Sequence, residues 1–484
     1  MSLASVTRRL QALLKTVFAL WGRYPSPTSC FDVKMTSAVV GCLLVGLGTL
    51  PSVGYGQTAP AASQLALSVL EVYQIAREND PGLAIARYKV DGADAGKDVA
   101  QGKMFPQVSI FGDWSENKVR YESTALSQLP SQEYPGERYG LQLRSPLFNM
   151  RSFKEYERQS ALVKQSEQEL AVAETQLLFS VTEAYLTVLL TEESVRQLES
   201  ELEALERQLE EANALYERSL LPVTQVLETQ TRTDTLRADV VYARGQAAIA
   251  RERLTQLTGL RDLVLRPTQE RVALLTGVGN AEQAASLAVA FDPATQAAQQ
   301  AVNAARKGVD REKGSWWPEI DFVYNSQYSD VGFDNLTSPP RSSESYSISM
   351  RYPLFEGGAG SARLRGAWAE FYSAQQQLEA VRRQASSRAR AAWLNLEAAT
   401  ERVDAARQAV KTAEVNVDAS RKAVKAGTAR VTDVLLALAQ NTRAQRGLSE
   451  ARSQKALGWL ELEIATGSNP VSLAPILSGA LHGP

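Results

Sequence analysis

The chain is written twice. "NDPGLAIA" at 79–86 recurs as "FDPATQAA" at 291–298, and "FPQVSIFGDW" at 105–114 recurs as "WPEIDFVYNS" at 317–326. "SPLFNMRS" at 145–152 returns as "YPLFEGGA" at 352–359, and "QLTG" at 256–259 as "IATG" at 464–467. The offsets are 212, 212, 207 and 208 residues. Four landmarks in one order at nearly one offset mark a tandem duplication. The repeats are placed at 57–270 and 271–475, after a leader at 1–56 and before a tail at 476–484.

Each repeat has the same inner order. A helix of about 20 residues comes first, at 82–103 and 294–313. Two strands follow, about 106–116 and 137–147 in the first repeat, 318–330 and 344–354 in the second. The segments between them, "ESTALSQLPSQEYPGE" and "DVGFDNLTSPPRSSES", are polar and rich in Ser and Pro, and read as exposed loops. Long helical hairpins complete the repeats at 149–258 and 359–466.

The hairpins constrain the fold most. Residues 149–221 hold no Gly and no Pro, 73 residues that would span on the order of 110 Å as one helix. Leu198, Leu202, Leu205, Leu209, Ala212 and Tyr216 follow at intervals of 4, 3, 4, 3 and 4, a heptad seam. Phe179, Tyr185 and Leu186 lie off that seam, the wider apolar stripe of a helix with neighbours on both sides. The tips fall near Leu221-Pro222 and Ala426-Gly427.

The strands alternate. Val108, Ile110 and Trp114 oppose Gln107, Ser109 and Asp113; Tyr139, Leu141 and Leu143 oppose Gly140, Gln142 and Arg144. Phe322, Tyr324 and Tyr328 oppose Asp321, Asn325 and Gln327; Tyr346, Ile348, Met350 and Tyr352 oppose Ser347, Ser349 and Arg351. A membrane barrel shows this pattern, and so does a half-buried soluble sheet.

Composition removes other classes. The net charge of −2 gives no basic footprint for nucleic acid. The single histidine is His482, and Cys30 and Cys42 both lie in the leader. Metal, thiolate and histidine chemistry are therefore not expected, and no phosphate loop or G-x-S-x-G element occurs. We expect no cofactor and no enzyme. In the leader, Lys34 precedes an apolar run and small residues, a secretory signal with cleavage near Gly56 or Ala62. Met35 is an alternative start, and Cys42 sits inside the apolar run rather than at its end. No later stretch has about 20 uninterrupted apolar residues.

Four strands cannot close a barrel in lipid, where each unpaired edge group costs several kcal/mol. Two copies would give eight strands and three copies twelve.

At this point "VYQIARENDPGL" (72–83), "FPQV" (105–108), "LQLRSPLFNM" (141–150), "AYLTVL" (184–189), "AGTARVTDVL" (426–435) and "ATG" (465–467) resemble, in order, the TolC family of bacterial outer-membrane export channels. The resemblance covers about 57–475. It implies a mixed α/β membrane protein: a homotrimer whose twelve-stranded β-barrel in the outer membrane continues into a twelve-helix α-barrel in the periplasm. It implies a passive duct, with a periplasmic adaptor and an inner-membrane ABC or proton-driven transporter docking at Leu221, Pro222, Ala426 and Gly427. In the family an acidic ring narrows the periplasmic aperture. Asp433 matches its first position, but Leu436 stands at the second. Of the gate positions near Thr428, the family's tyrosine falls on Val424 and its arginine on Ala429; Thr224 is retained, and Gln225 replaces an aspartate. Closure here cannot use the same bonds, and Arg430 is the nearest substitute. The plan implies the outer-membrane component of type I protein secretion, of the kind that exports repeat-containing toxins. Efflux of small toxic compounds is the alternative, and a periplasmic coiled-coil scaffold a remote one.

Overall fold

The computed structural model describes residues 66–119, 132–269, 274, 276–331, 339–426, 428–429 and 431–482. The leader expectations, with Cys30 and Cys42, lie outside the described residues.

The first repeat runs α1 (Val69–Asn79), α2 (Pro81–Gly102), β1 (Gln107–Val119), β2 (Gln132–Phe148), α3 (Met150–Glu217) and α4 (Val223–Thr258). The second runs α5 (Ala281–Phe291), α6 (Pro293–Gly314), β3 (Glu319–Val331), β4 (Arg341–Arg351), α7 (Ala359–Lys425) and α8 (Val431–Ala465); α9 (Pro470–His482) follows.

The repeated landmarks are helix ends. Asp80 and Asp292 cap α2 and α6, accepting from the Leu83 and Thr295 amides at 2.7 and 3.0 Å, each with Pro at the first helical position. Gly259 and Gly467 follow α4 and α8 with φ of +71° and +85°. Each glycine lies against the residue before the cap: Gly259 against Asn79, Gly467 against Phe291. So the end of α4 meets the α1–α2 junction, and the end of α8 the α5–α6 junction, at a duplicated joint. Both short helices of a pair then pack along one long helix: α2 and α4 on α3, α6 and α8 on α7. At 68 and 67 residues, α3 and α7 are each about 100 Å long. Contacts between α3 and α6 join the repeats, leaving α2 with α4 and α7 as the two edges of the layer.

The main core is a belt around the midpoints of α3 and α7. It gathers Leu178, Val181 and Tyr185 with Ala389 and Ala392, and is covered by α1, α5 and α9. The heptad seam packs as expected toward the tip: Leu198, Leu205 and Ala212 are buried, and Leu198 and Leu205 meet Leu236 and Val240 of α4. It ends before Tyr216, which is exposed.

The sheet has the order β1-β2-β3-β4, antiparallel throughout, so β1 and β4 are its edges. The strands depart from their expected bounds. β2 begins at Gln132 and β4 at Arg341, taking in the polar "QEYPGE" and "RSSES" expected in loops. Backbone pairing overrides their polarity, and Pro135 is accommodated opposite Glu116. β4 stops at Arg351 rather than 354, because Pro353 has no amide to give the ladder. Residues 476–482 of the tail expected at 476–484 belong instead to α9, where Leu473, Ala474, Leu477 and Leu481 are buried at helical spacing; the boundary expected at 475 falls inside it.

Candidate functional site

Cross-strand partners share a face. Val108, Leu143, Tyr324 and Tyr346 stand in one row, and Ile110 pairs with Leu141 in the next. Phe322 pairs with Ile348 and Ile320 with Met350 on the same face, which is apolar. The other face carries Ser109, Gln142, Asn325 and Ser345 in one row, with Gln327 and Ser347 in others. Two ion pairs lie there: Arg138 with Asp113 at 2.7 Å, and Arg144 with Asp321 at 2.5 Å. Among the described residues no helix is long and apolar enough to cross a membrane. The apolar surface suited to lipid is on the sheet.

Where sheet meets helices, the chain concentrates aromatics and charge. Phe148 packs on Trp317 with ring centroids 6.3 Å apart, while Leu354 and Phe355 at the end of β4 are 82% and 86% exposed. Below them α3 and α6 are tied by Lys307–Glu157 at 2.5 Å and Arg311–Glu155 at 3.3 Å. Burial pushes the Glu155 carboxyl up, but hydrogen bonds from Arg158, Gln159 and Arg311 outweigh it and bring it down to about 2. Buried Glu312 is bonded by Arg311, with Arg363 and Arg151 at 3.6 and 3.9 Å.

The two hairpins differ in how their helices are pinned. In the first, Arg237, Arg244 and Arg251 of α4 reach Glu206, Glu199 and Glu192 of α3 at 2.8, 2.6 and 2.6 Å, one pair per heptad. In the second, Arg402 meets Gln454 and Asn416 meets Gln440, contacts made by amides rather than carboxylates.

The first tip turns at Ser219 with φ +59°, the Leu220 amide donating to Leu215 O, and α4 starts after Pro222. Leu221 is half-buried; Thr224 and Gln225 are exposed in the first turn of α4. At the second tip Ala426 ends α7, and the Thr428 amide and hydroxyl both donate to Ala423 O at 3.0 Å. Val424 and Ala429 are half-buried. Gly427 and Arg430 lie outside the described residues. Asp433 and Leu436, three positions apart in the first turns of α8, are exposed on one helix face. Leu435, between them in sequence, packs against the first hairpin's cluster of Leu198, Leu205, Leu236, Val240 and Ala243. Thus the structure brings Asp433 and Leu436 together, while among the described residues no hydrogen bond or ion pair joins Thr224 or Gln225 to the second tip.

Sequence reasoning missed the node at Tyr185, whose off-seam position pointed to tube neighbours. Tyr185 is fully buried, its hydroxyl 2.6 Å from Arg266 O, 3.0 Å from Leu67 O and 3.2 Å from His482 Nε2. His482 Nδ1 donates to Pro267 O at 3.2 Å, leaving Nε2 to accept from the Val69 amide at 3.4 Å. Burial pushes the imidazole down, with Arg266 adding to it against Pro267 and Glu71. A lone histidine at the last position of α9 carries no sequence signal beyond the buried stripe of that helix, Leu473 to Leu481.

The profile described as "Outer membrane efflux protein" matches residues 72–260 and 284–468. The chain is 25% identical over 432 residues to "Outer membrane protein TolC" of Vibrio cholerae serotype O1, covering 87% of this chain and 93% of that one. It is 25% identical over 410 residues to "Alkaline protease secretion protein AprF" of Pseudomonas aeruginosa, covering 83% and 85%. The fold is similar to the crystal structure of the Campylobacter jejuni CmeC outer membrane channel, with a TM-score of 0.72 at 13% identity over 91% of this chain and 99% of that one.

Proposed function

Because the chain belongs to the outer membrane efflux protein family, we propose that three copies assemble into a passive export duct. The protein resides in the outer membrane, with its helical tunnel in the periplasm. The observation that carries the assembly is the sheet: four strands, two open edges, one apolar face and one polar face. Left open in lipid, the edges of β1 and β4 would strand backbone groups at several kcal/mol each. Three copies supply twelve strands, enough for a barrel with a polar lumen. The helical layer supports the same closure. Each chain offers four helix lengths, α3, α7 and the two end-to-end pairs, and three chains offer twelve.

The duct binds no cofactor in this reading. A periplasmic adaptor and an inner-membrane transporter dock at the tips, around Leu221, Pro222, Ala426 and Gly427, and Asp433 with Leu436 lines the aperture beside Val424, Thr428, Ala429, Arg430, Thr224 and Gln225. Protein export by a type I system is the cargo reading supported by the likeness to AprF, whose name assigns it to alkaline protease secretion. The family's own description favours efflux of small compounds as the second reading.

The test has two stages. Membrane fractionation followed by the mass of the detergent-extracted protein should give an outer-membrane trimer; a monomer recovered without detergent would overturn the duct. A deletion strain then separates the cargoes. Loss of secreted protein from the medium with unchanged drug susceptibility supports type I secretion, and the reverse supports efflux.

A further inference from the structure

We propose that β4 of one copy pairs with β1 of the next in a register set by the chain's own β2–β3 pairing. Ile348 then stands opposite Trp114, Ser347 opposite Ser115 and Glu344 opposite Lys118 of the neighbouring copy. The proposal rests on the ring closure above and specifies its interface.

The duplication relates β1 to β3 by an offset of 212 and β2 to β4 by 207. One interface checks these offsets. Val108 pairs with Leu143 and Gln107 with Arg144; the offsets turn these pairs into Ile320 with Met350 and Glu319 with Arg351, which are the observed partners between β3 and β4. The hairpin register is thus the same in both repeats, without slip.

The same offsets apply to the interface between repeats. Observed pairs across β2 and β3 are Leu141 with Ser326, Gly140 with Gln327 and Glu137 with Asp330. Carried forward, they become Ile348 with Trp114, Ser347 with Ser115 and Glu344 with Lys118. Direction agrees: four alternating strands leave β4 antiparallel to the β1 of a following copy.

Three features of the free edges fit this register. Ile348 and Trp114 both belong to the apolar face, whereas a slip of one residue would turn the apolar side chains of one strand to the polar face. The like-charged Glu137–Asp330 row becomes an oppositely charged one, Glu344 with Lys118, whose other side already holds Glu133. The contact of Phe148 with Trp317 becomes Phe355 with Phe105. In the single chain these two rings are 86% and 57% exposed.

Cysteine pairing tests it in the full-length chain, with Cys30 and Cys42 replaced by serine. Directly opposed residues can form a disulfide, while diagonal neighbours about 7–8 Å apart cannot without backbone movement. On the polar face the chain carries S347C with S115C, against the shifted pairs S347C with D113C and S347C with N117C. On the apolar face, where the opposed-pair spacing is of the other class, it carries M350C with G112C. Oxidation in isolated outer membranes should yield reductant-sensitive two- and three-chain species from an in-register pair, roughly tenfold faster than from either shifted pair. Faster coupling of a shifted pair overturns the register and leaves the ring intact. No coupling in any pair, with the extracted protein still at trimer mass, overturns the β4–β1 interface alone. A monomer mass overturns the ring reading and the interface with it.

Discussion

Gly467 sits so close to Phe291 that a β-carbon on the glycine would lie 2.5 Å from the Phe291 carbonyl oxygen. This is the joint between the end of α8 and the α5–α6 junction. Its counterpart at Gly259 is looser, with Asn79 Cβ 3.7 Å from the same hypothetical atom. Both glycines have positive φ, which costs an L-residue about 1–2 kcal/mol. Gly467→Ala should therefore destabilise by about 3 kcal/mol or more, since strain and a backbone clash add. Gly259→Ala should cost only the first part. Thermal unfolding of the two variants in detergent checks the order; equal losses would show that the Phe291 contact relaxes freely.

The node of Tyr185 and His482 makes the belt acid-sensitive. The His482 imidazole is held below its ordinary value by burial, so its neutral form is the folded one. Its contribution is present above about pH 6.5 and is lost as pH falls through the depressed folded value. Glu155, held at about 2, gives stability present above its ordinary range near 4.5 and lost only toward pH 2. Between about pH 6.5 and 4.5, then, wild type should lose stability that His482→Gln does not lose, and Glu155→Gln should follow wild type. Tyr185→Phe should cost about 1–2 kcal/mol at neutral pH by leaving the Arg266 carbonyl short of a donor, while Leu67 O keeps the Arg266 amide. Unfolding midpoints against pH, variant by variant, are the readout.

The ion-pair ladder of the first hairpin is exposed to water, and such pairs contribute little singly and are screened by salt. Removing Arg244 and Glu199 singly and together should reveal a favourable coupling at low ionic strength that vanishes near about 1 M salt. The charge-to-amide pair Arg402 and Gln454 of the second hairpin should show no salt dependence. Salt-insensitive coupling at Arg244 would mean its packing, not its charge, holds the helix.

At the aperture, three copies of Asp433 would place carboxylates around one axis, a ring that favours cations. Asp433→Asn should lower cation selectivity in planar bilayers and weaken block by multivalent cations. Leu436→Asp, one turn along the same exposed face, should raise both. Unchanged selectivity in both variants would remove these residues from the constriction.

Much of this architecture was legible because it depends on period and repetition. The alternation of Val108 and Ile110 against Gln107 and Ser109 places them on opposite faces whatever their neighbours do. The absence of Gly and Pro from 149 to 221 leaves α3 no place to break. The recurring "DP" and "TG" stand out as repeated landmarks, but only the folded chain shows that they are helix ends and that they meet. Polar strand ends such as Arg341–Glu344 escaped notice because their backbone partners, not their side chains, hold them in the ladder. The role of His482 was invisible for a similar reason: its ring is bound by backbone groups of Val69 and Pro267, which have no signature in residue type. Near the tips, residue types and spacing identify Asp433 and Leu436 as one exposed helix face.

The belt joins segments 413 residues apart, as the contact of Val69 with His482 shows. The two hairpins are local and can zip up on their own, within microseconds for each helix. The belt cannot begin that way. Its loop must close over nearly the whole chain, so it forms late and slowly. Until then the apolar midpoints of α3 and α7 are uncovered, and the newly made chain is most open to proteases and aggregation at the place where the finished protein is most tightly packed.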